Sequence, residues 1–318
     1  MRLKPPESPT LDGATGKIKM SSRWRIIDTG PLDPFSNMAF DEALLRGYQN
    51  RYSAPTLRVY GWKEPSLSLG YSQDPQIELD LDLCRKRAMP VVRRITGGGI
   101  ILHGNELTYS LVCSKEDLGI PARVLSSYKI ISSFLTAFYG MLGIDARFAC
   151  DVVKDKDIGR HSTVCFAAQE KYDIVVNGRK IGGSAQKRCD GVIFQHGSIP
   201  IGLNEASASS FLKVRRPEDA ECGATCLEDI LGKRVNAQEL SGLLVRSFAE
   251  TFRVKTFKGA LSAAEEELFS GFKEFKYSTP DWNLNRVDGT LGSNNLTQGL
   301  NSDDRDDKKR FSAALVGQ

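Results

Sequence analysis

The sequence predicts an α+β domain: a mixed or antiparallel sheet with helices packed on it. Three observations predict it. Short strand-like segments come first, and long helical patterns cluster late or cover one face. An Asn-Gly pair, Asn177-Gly178, joins two strand-like runs; both turn positions of such a hairpin need φ > 0, which these two residue types tolerate best. The chain has 318 residues, enough for one large domain with a proper core.

The elements follow in order. Trp24–Asp28 opens the folded part. Asn37–Gln49 is predicted to be a helix, because Met38, Leu44, Leu45 and Tyr48 share one broad face. Strands are predicted at Thr56–Tyr60, Ser66–Tyr71, Pro90–Ile95 and Leu107–Cys113, separated by turn residues such as Lys63-Glu64-Pro65 and Gly97-Gly98-Gly99. Pro121–Leu142 is the best helical pattern, with Pro near its start and Gly140 and Gly143 near its end. Tyr172–Val176 and Arg179–Ala185 form the Asn-Gly hairpin, and Gly191–Ile201 is a further strand. Ala237–Phe252 and Ala263–Phe275 are helical. Residues 1–22 read as a flexible leader, residues 23–283 as one folded domain, and residues 284–318 as a disordered tail rich in Asn, Asp, Ser and Gly.

Bulk chemistry excludes several classes. Lys and Arg number 43 against 39 acidic residues, a net charge of only +4. Nucleic-acid binding needs a concentrated basic face, so no nucleic-acid partner is expected, and no polybasic membrane anchor either. No apolar run approaches a membrane span. Seven cysteines, an odd number in a chain of this size, suit a reducing compartment, and a cytoplasmic location is expected. Cys222 and Cys226 lack a second Cys/His pair at zinc spacing, so no metal is expected.

Four segments carry chemistry. Arg93-Arg94-Ile95-Thr96-Gly97-Gly98-Gly99 ends an apolar strand, and its glycines allow a ligand to approach the backbone N–H groups; a tight loop between strands would look the same. Lys180 follows the hairpin turn and precedes Gly182-Gly183-Ser184, where its charge could meet a carbonyl oxygen; most hairpin lysines are merely solvated. His196 in Gln195-His196-Gly197-Ser198 and His103 in Leu102-His103-Gly104 are either hydrogen-bonded structural residues or parts of a site. Cys165 lies in a loop adjoining the Lys180 hairpin, where a nearby cation would favour its thiolate.

In this order the segments resemble the lipoate/biotin protein ligase superfamily, over roughly residues 23 to 283. Trp24–Gly30, Asn37–Leu44, Thr56–Trp62 and Ser68–Tyr71 look like its opening strands and first helix. The Arg-Arg-x-Thr-Gly-Gly loop, the Gly-Arg-Lys-Ile-x-Gly-Ser-Ala-Gln hairpin and the Gln-His-Gly-Ser strand look like its binding signatures. Glu106-Leu107-Thr108-Tyr109-Ser110 and Cys165-Phe166 are similar to the cysteine-dependent octanoyltransferase branch. Gly99 and Gly104 depart from that branch, which carries Arg and Asp there. The triple glycine is ligase-like, so an ATP-dependent lipoate-protein ligase is the alternative.

The resemblance implies the lipoate/biotin ligase catalytic fold and an ATP-independent acyltransferase without a cofactor. Octanoyl-acyl carrier protein would be the donor. A lipoyl-domain protein, either an H protein or a 2-oxoacid dehydrogenase subunit, would be the acceptor. Cys165 and Lys180 would be catalytic. Arg94, Gly97, Gly98, Gly99, His103, Gly182, Gly183, Ser184 and His196 would bind substrate. Burying seven methylenes of an octanoyl chain offers about 5–6 kcal/mol, at ~0.8 kcal/mol each; Tyr71, Val92 and Ile101 are candidate tunnel residues, and Cys150 is an alternative thiol.

Overall fold

The computed structural model describes residues 23–119, 124–152, 170–202, 204, 207–213 and 224–292. The strands are β1 (Arg23–Leu32), β2 (Thr56–Trp62), β3 (Ser66–Leu69), β4 (Val91–Arg93), β5 (Ile101–His103), β6 (Glu106–Ser114), β7 (Arg147–Phe148), β8 (Ile174–Val176), β9 (Arg179–Cys189), β10 (Val192–Pro200) and β11 (Lys255–Lys258). The helices are α1 (Pro34–Gln49), α2 (Pro75–Glu78), α3 (Leu81–Lys86), α4 (Val124–Met141), α5 (Ala149–Val152), α6 (Leu227–Leu231), α7 (Ala237–Phe252), α8 (Ala263–Phe272) and α9 (Pro280–Asn285).

Eight strands form one mixed sheet in the order β11-β1-β2-β6-β10-β9-β8-β7. β1 runs parallel to β11 and β2, and every later pairing is antiparallel. A second sheet, β4-β3-β5, stands apart and carries the triple-glycine loop between β4 and β5. At the β8–β9 turn Asn177 and Gly178 have φ of 51° and 75°, as the hairpin pattern requires.

Period-two alternation assigns the two faces of the large sheet. Trp24, Ile26, Leu57, Val59, Leu107, Tyr109, Leu111 and Ile193 point to one side, where Phe134 and Phe138 of α4 and Leu244 and Phe248 of α7 cover them. Ile27, Tyr60, Val112 and Phe194 point to the other, against Met38, Phe40 and Leu44 of α1. The α1 face also buries charge: Arg25 meets Glu265 at 2.6 Å, and Arg58 meets Asp41 at 2.8 Å.

Several boundaries differ from the sequence reading, each for a local reason. α1 begins three residues early, because Asp33 caps it by accepting from the Ser36 N–H and Pro34 supplies a preset φ at the first helical position. β5 and β11 were not expected; β5 is three residues long and β11 is a largely exposed polar edge. α8 stops at Phe272 and passes into a π-helical turn, Lys273–Tyr277, which turns Lys276 and Tyr277 onto Glu42. The packed body continues past Asn283: Asp288 pairs with Lys276 at 2.6 Å, and Thr290 is buried.

Candidate active site

The hairpin delivers Lys180 into the protein rather than into solvent. Its side chain is only 1% exposed, and its Nζ lies 2.6 Å from Asp173 Oδ2, itself 4% exposed. A register shift between Ile174 and Val175 lets two residues seven positions apart meet across the turn. Gly183 leaves room for them, since a Cβ there would lie 3.1 Å from Lys180 Cε and 3.3 Å from Asp173 Oδ1. Burial pushes the Asp173 carboxyl above its ordinary range, and the Lys180 charge beside it offsets only part of that cost. The pair therefore holds a cation in a dry place with an incompletely compensated counter-ion.

Arg94 holds the triple-glycine loop, and Arg93 holds the Gly70–Gln73 segment beside it. Adjacent strand residues point to opposite sides. Arg93 donates to the carbonyls of Gly70, Tyr71, Gln73 and Trp282. Arg94 donates to Ser68 O at 2.8 Å, Ser68 Oγ at 2.5 Å, Gly97 O at 3.3 Å and Gly99 O at 2.9 Å. The loop lies against Gly70 so closely that a Cβ there would fall 1.9 Å from Gly98 O. Among the described residues, the N–H groups of Gly97, Gly98 and Gly99 donate to no protein group. They are available to a ligand oxygen.

His196, on β10, is buried between α1 and this loop. Its Nε2 is 2.7 Å from Thr96 Oγ1, and its Nδ1 is 3.5 Å from Asp41 Oδ2. Burial lowers its pKa, against the pull of Asp41. Burial alone would raise the Asp41 carboxyl, but Arg58, His196 and Ser110 hold it below its usual range. Asp41 also accepts from Ser110 Oγ at 2.7 Å and from Tyr60 OH at 2.9 Å.

His103 is bonded on both ring nitrogens, to Ser68 Oγ at 2.6 Å and Glu106 Oε1 at 2.9 Å, and it stacks on Trp62 with ring centroids 3.7 Å apart.

On the opposite side of the hairpin, Ser184 Oγ is 2.8 Å from Tyr109 OH, and Ser184 O accepts from Tyr128 OH. Gln195 Nε2 donates to Tyr109 OH at 2.8 Å and to Ser132 Oγ at 3.2 Å, tying the hairpin to α4. Burial pushes the Tyr109 phenol up to about 12, so it stays a neutral hydroxyl.

The structure therefore brings Arg94, Gly97, Gly98, Gly99, His103 and His196 together around one loop, and Lys180, Gly182, Gly183 and Ser184 along one hairpin. Cys165 lies outside the described residues. Of the tunnel candidates, Val92 is fully buried in the core under α1, while Tyr71 is 44% exposed, with Lys187 Nζ 5.7 Å from its ring centroid. The sequence reading missed Asp173, Asp41 and Arg58. Asp41 and Arg58 left a visible trace, charges placed among apolar residues on otherwise buried faces.

The five described cysteines, Cys84, Cys113, Cys150, Cys189 and Cys226, are free thiols. Burial pushes each one up, Cys84 to about 11. For Cys150 the neighbouring Asp151 adds to the effect, which disfavours its thiolate.

The described residues thus hold a glycine loop with open N–H groups and a buried lysine on a hairpin of a mixed sheet, and comparison with known proteins gives the family that shares this fold. Residues 33–249 match the lipoyl protein ligase A/B catalytic domain. The chain is 36% identical to octanoyltransferase LipM of Geobacillus kaustophilus, over 83% of this chain and 98% of that one. The same figures hold for octanoyltransferase LipM of Bacillus subtilis. Among solved structures it is similar to a lipoate-protein ligase A bound with ATP: TM-score 0.69, 27% identity, covering 84% of this chain and all of that one. A Thermoplasma acidophilum putative lipoate protein ligase with bound lipoic acid has a TM-score of 0.67 at 27% identity, over 83% of this chain and all of that one. The chain belongs to the lipoyl protein ligase A/B catalytic domain family.

Proposed function

We propose that this protein is a cysteine-dependent octanoyltransferase of protein lipoylation. The carrying observation is its kinship with octanoyltransferase LipM chains across nearly their whole length. The site chemistry supports the same reading. In the first step the Cys165 thiolate attacks the thioester carbonyl of octanoyl-acyl carrier protein. A C–S bond forms to Cys165, and the carrier leaves as its thiol after taking up a proton. In the second step the neutral ε-amine of a lipoyl-domain lysine attacks the acyl-Cys165 carbonyl. A C–N bond forms, the C–S bond breaks, the amine proton departs, and the thiolate is regenerated. Thioester to thioester to amide runs downhill, so the sequence of steps needs no ATP.

Lys180 is the cation assigned to the thiolate and to the acyl oxygen. Its burial strengthens its field, since little water screens it, while Asp173 at 2.6 Å offsets part of the charge and fixes its position. The open N–H groups of Gly97–Gly99 are assigned to the developing oxyanion. The raised thiols at all five described cysteines support Cys165 as the nucleophile rather than Cys150. The donor protein, the lipoyl-domain acceptor and a cytoplasmic location belong to the same proposal. No helix among the described residues is long and apolar enough to cross a membrane.

Intact mass after mixing with octanoyl-acyl carrier protein, without ATP, tests this. The expected result is an octanoyl adduct on the parent that hydroxylamine releases and that Cys165→Ala lacks. If the parent forms no adduct, and a lipoyl domain is acylated only with ATP and free acid, the protein is the ligase that Gly99 also fits.

A further inference from the structure

In the triple-glycine loop the Gly97 and Gly99 carbonyls are occupied, and among the described residues the three N–H groups have no partner. Arg94 takes both Gly97 O and Gly99 O, and Gly98 between them has φ of 100°, a conformation that favours glycine. What holds Arg94 in turn is a hydrogen-bond chain that crosses from the small sheet to the large one. Arg94 NH1 donates to Ser68 Oγ at 2.5 Å. Ser68 Oγ meets His103 Nε2 at 2.6 Å, and His103 Nδ1 meets Glu106 Oε1 at 2.9 Å. Thr108 Oγ1 donates to the same Glu106 oxygen at 2.6 Å and accepts from Trp62 Nε1 at 2.9 Å.

The bonds at the two ends of this chain have one possible direction each. A guanidinium only donates, so Ser68 Oγ accepts from Arg94. His103 and Thr108 hold the Glu106 carboxyl below its ordinary range against the burial that would raise it, so it is ionised and only accepts. His103 Nδ1 therefore carries the proton. Ser68 Oγ, which accepts from Arg94, meets the other ring nitrogen, Nε2, at 2.6 Å. The chain runs from a buried cation to a buried anion through Ser68 and His103. All four side chains are 8% exposed or less. Ser68, His103 and Glu106 have the connectivity of a hydrolytic triad. However, the Ser68 oxygen already accepts from Arg94 and is fully buried, which denies it to a substrate.

We infer that Glu106, His103 and Ser68 are positioning residues that orient Arg94, so that it draws the Gly97 and Gly99 carbonyls back and leaves the loop's N–H groups facing the acyl carbonyl. His196 secures the other end of the same loop through Thr96. The catalytic consequence rests on the octanoyltransferase reading; the effect on loop order does not.

The test uses the full chain with Ser68→Ala, Glu106→Ala and Glu106→Gln. Two properties are measured: the ¹⁵N order parameters of the Gly97–Gly99 amides, and the rate of acyl-enzyme formation from octanoyl-acyl carrier protein. Alkylation of Cys165 by iodoacetamide serves as a control that needs no oxyanion site. Ser68→Ala and Glu106→Ala are expected to lower the loop order parameters from about 0.85 to below about 0.6. They should slow acylation by about 10²-fold, as the loss of oxyanion donors does, with alkylation and the β6 amides unchanged. Glu106→Gln, which keeps an acceptor oxygen for His103, should restore loop order. Folded Ser68→Ala with an ordered loop and full acylation overturns the relay. If Ser68→Ala does not fold, the Glu106→Ala and Glu106→Gln pair decides on the same readouts. A parent that is never acylated overturns the transferase reading instead, and the order parameters still decide the relay.

Discussion

The two faces of the large sheet are built from the same strands and yet obey different rules. On the α4/α7 face, Trp24, Leu57, Val59, Leu111, Phe134 and Phe248 pack as an apolar mass, with ring pairs such as Trp24–Phe248 at 4.8 Å edge-to-face. On the α1 face, apolar residues are interleaved with buried charge: Arg25–Glu265, Arg58–Asp41, and through α1 Glu42–Lys276. Arg58 even lies between aromatic rings, its Cζ 3.8 Å from the Tyr60 centroid and 4.3 Å from Phe40. Buried ion pairs are poor sources of stability, because desolvation consumes most of their Coulomb gain. Their concentration on the face that also carries His196, Thr96 and the glycine loop suggests division of labour. One face supplies folding free energy, and the other spends part of it to hold polar groups at fixed positions.

Two substitutions of comparable cost would break that comparison. Phe248→Ala deletes a ring that touches Trp24, Phe134 and Phe252. Urea unfolding should show a loss of about 3–5 kcal/mol, while the acylation rate per folded molecule is unchanged. Arg58→Met keeps the volume but strands the Asp41 carboxylate, which should likewise cost about 3–5 kcal/mol. Here the acylation rate of the folded fraction should fall as well, because Asp41 holds His196 and His196 holds Thr96. Equal effects of the two variants on rate would mean the faces do not differ in function.

The apolar face was legible in the sequence, because alternation such as Leu57-Arg58-Val59 is a local signal. The Asn177-Gly178 hairpin was legible for the same reason. The charged face was not. Arg93 finds Trp282 O 189 positions away, and Arg25 finds Glu265 240 positions away; no local pattern encodes such partners. Lys180 was visible as a candidate, but Asp173 was hidden, since a register shift decides which residue crosses the turn to meet it. The glycine loop could be read as a ligand loop. That its arginines knot carbonyls, at Gly70, Tyr71, Gln73, Gly97 and Gly99, required side-chain coordinates.

The smallest effect sharpens the comparison by pH. Burial lowers the folded-state pKa of His196 below its unfolded value of about 6.5. Between those two values the unfolded chain holds a proton that the folded chain lacks, so stability rises with pH there and is complete above about 6.5. Asp41, Arg94 and His103 are the charged or titratable groups facing the ring; Asp41 opposes the shift, while Arg94 and His103 reinforce it. The depressed carboxyl of Asp41 acts lower, contributing stability that is lost only as pH falls below the ordinary carboxylate range. Urea midpoints taken from pH 7.5 to pH 5.5 should therefore fall in the parent by up to about 1.4 kcal/mol per pH unit for the one proton. They should fall less steeply in His196→Gln. An equal slope in both proteins would mean that the folded protein accepts the proton at His196, and that the α1 face tolerates a further charge beside Arg94.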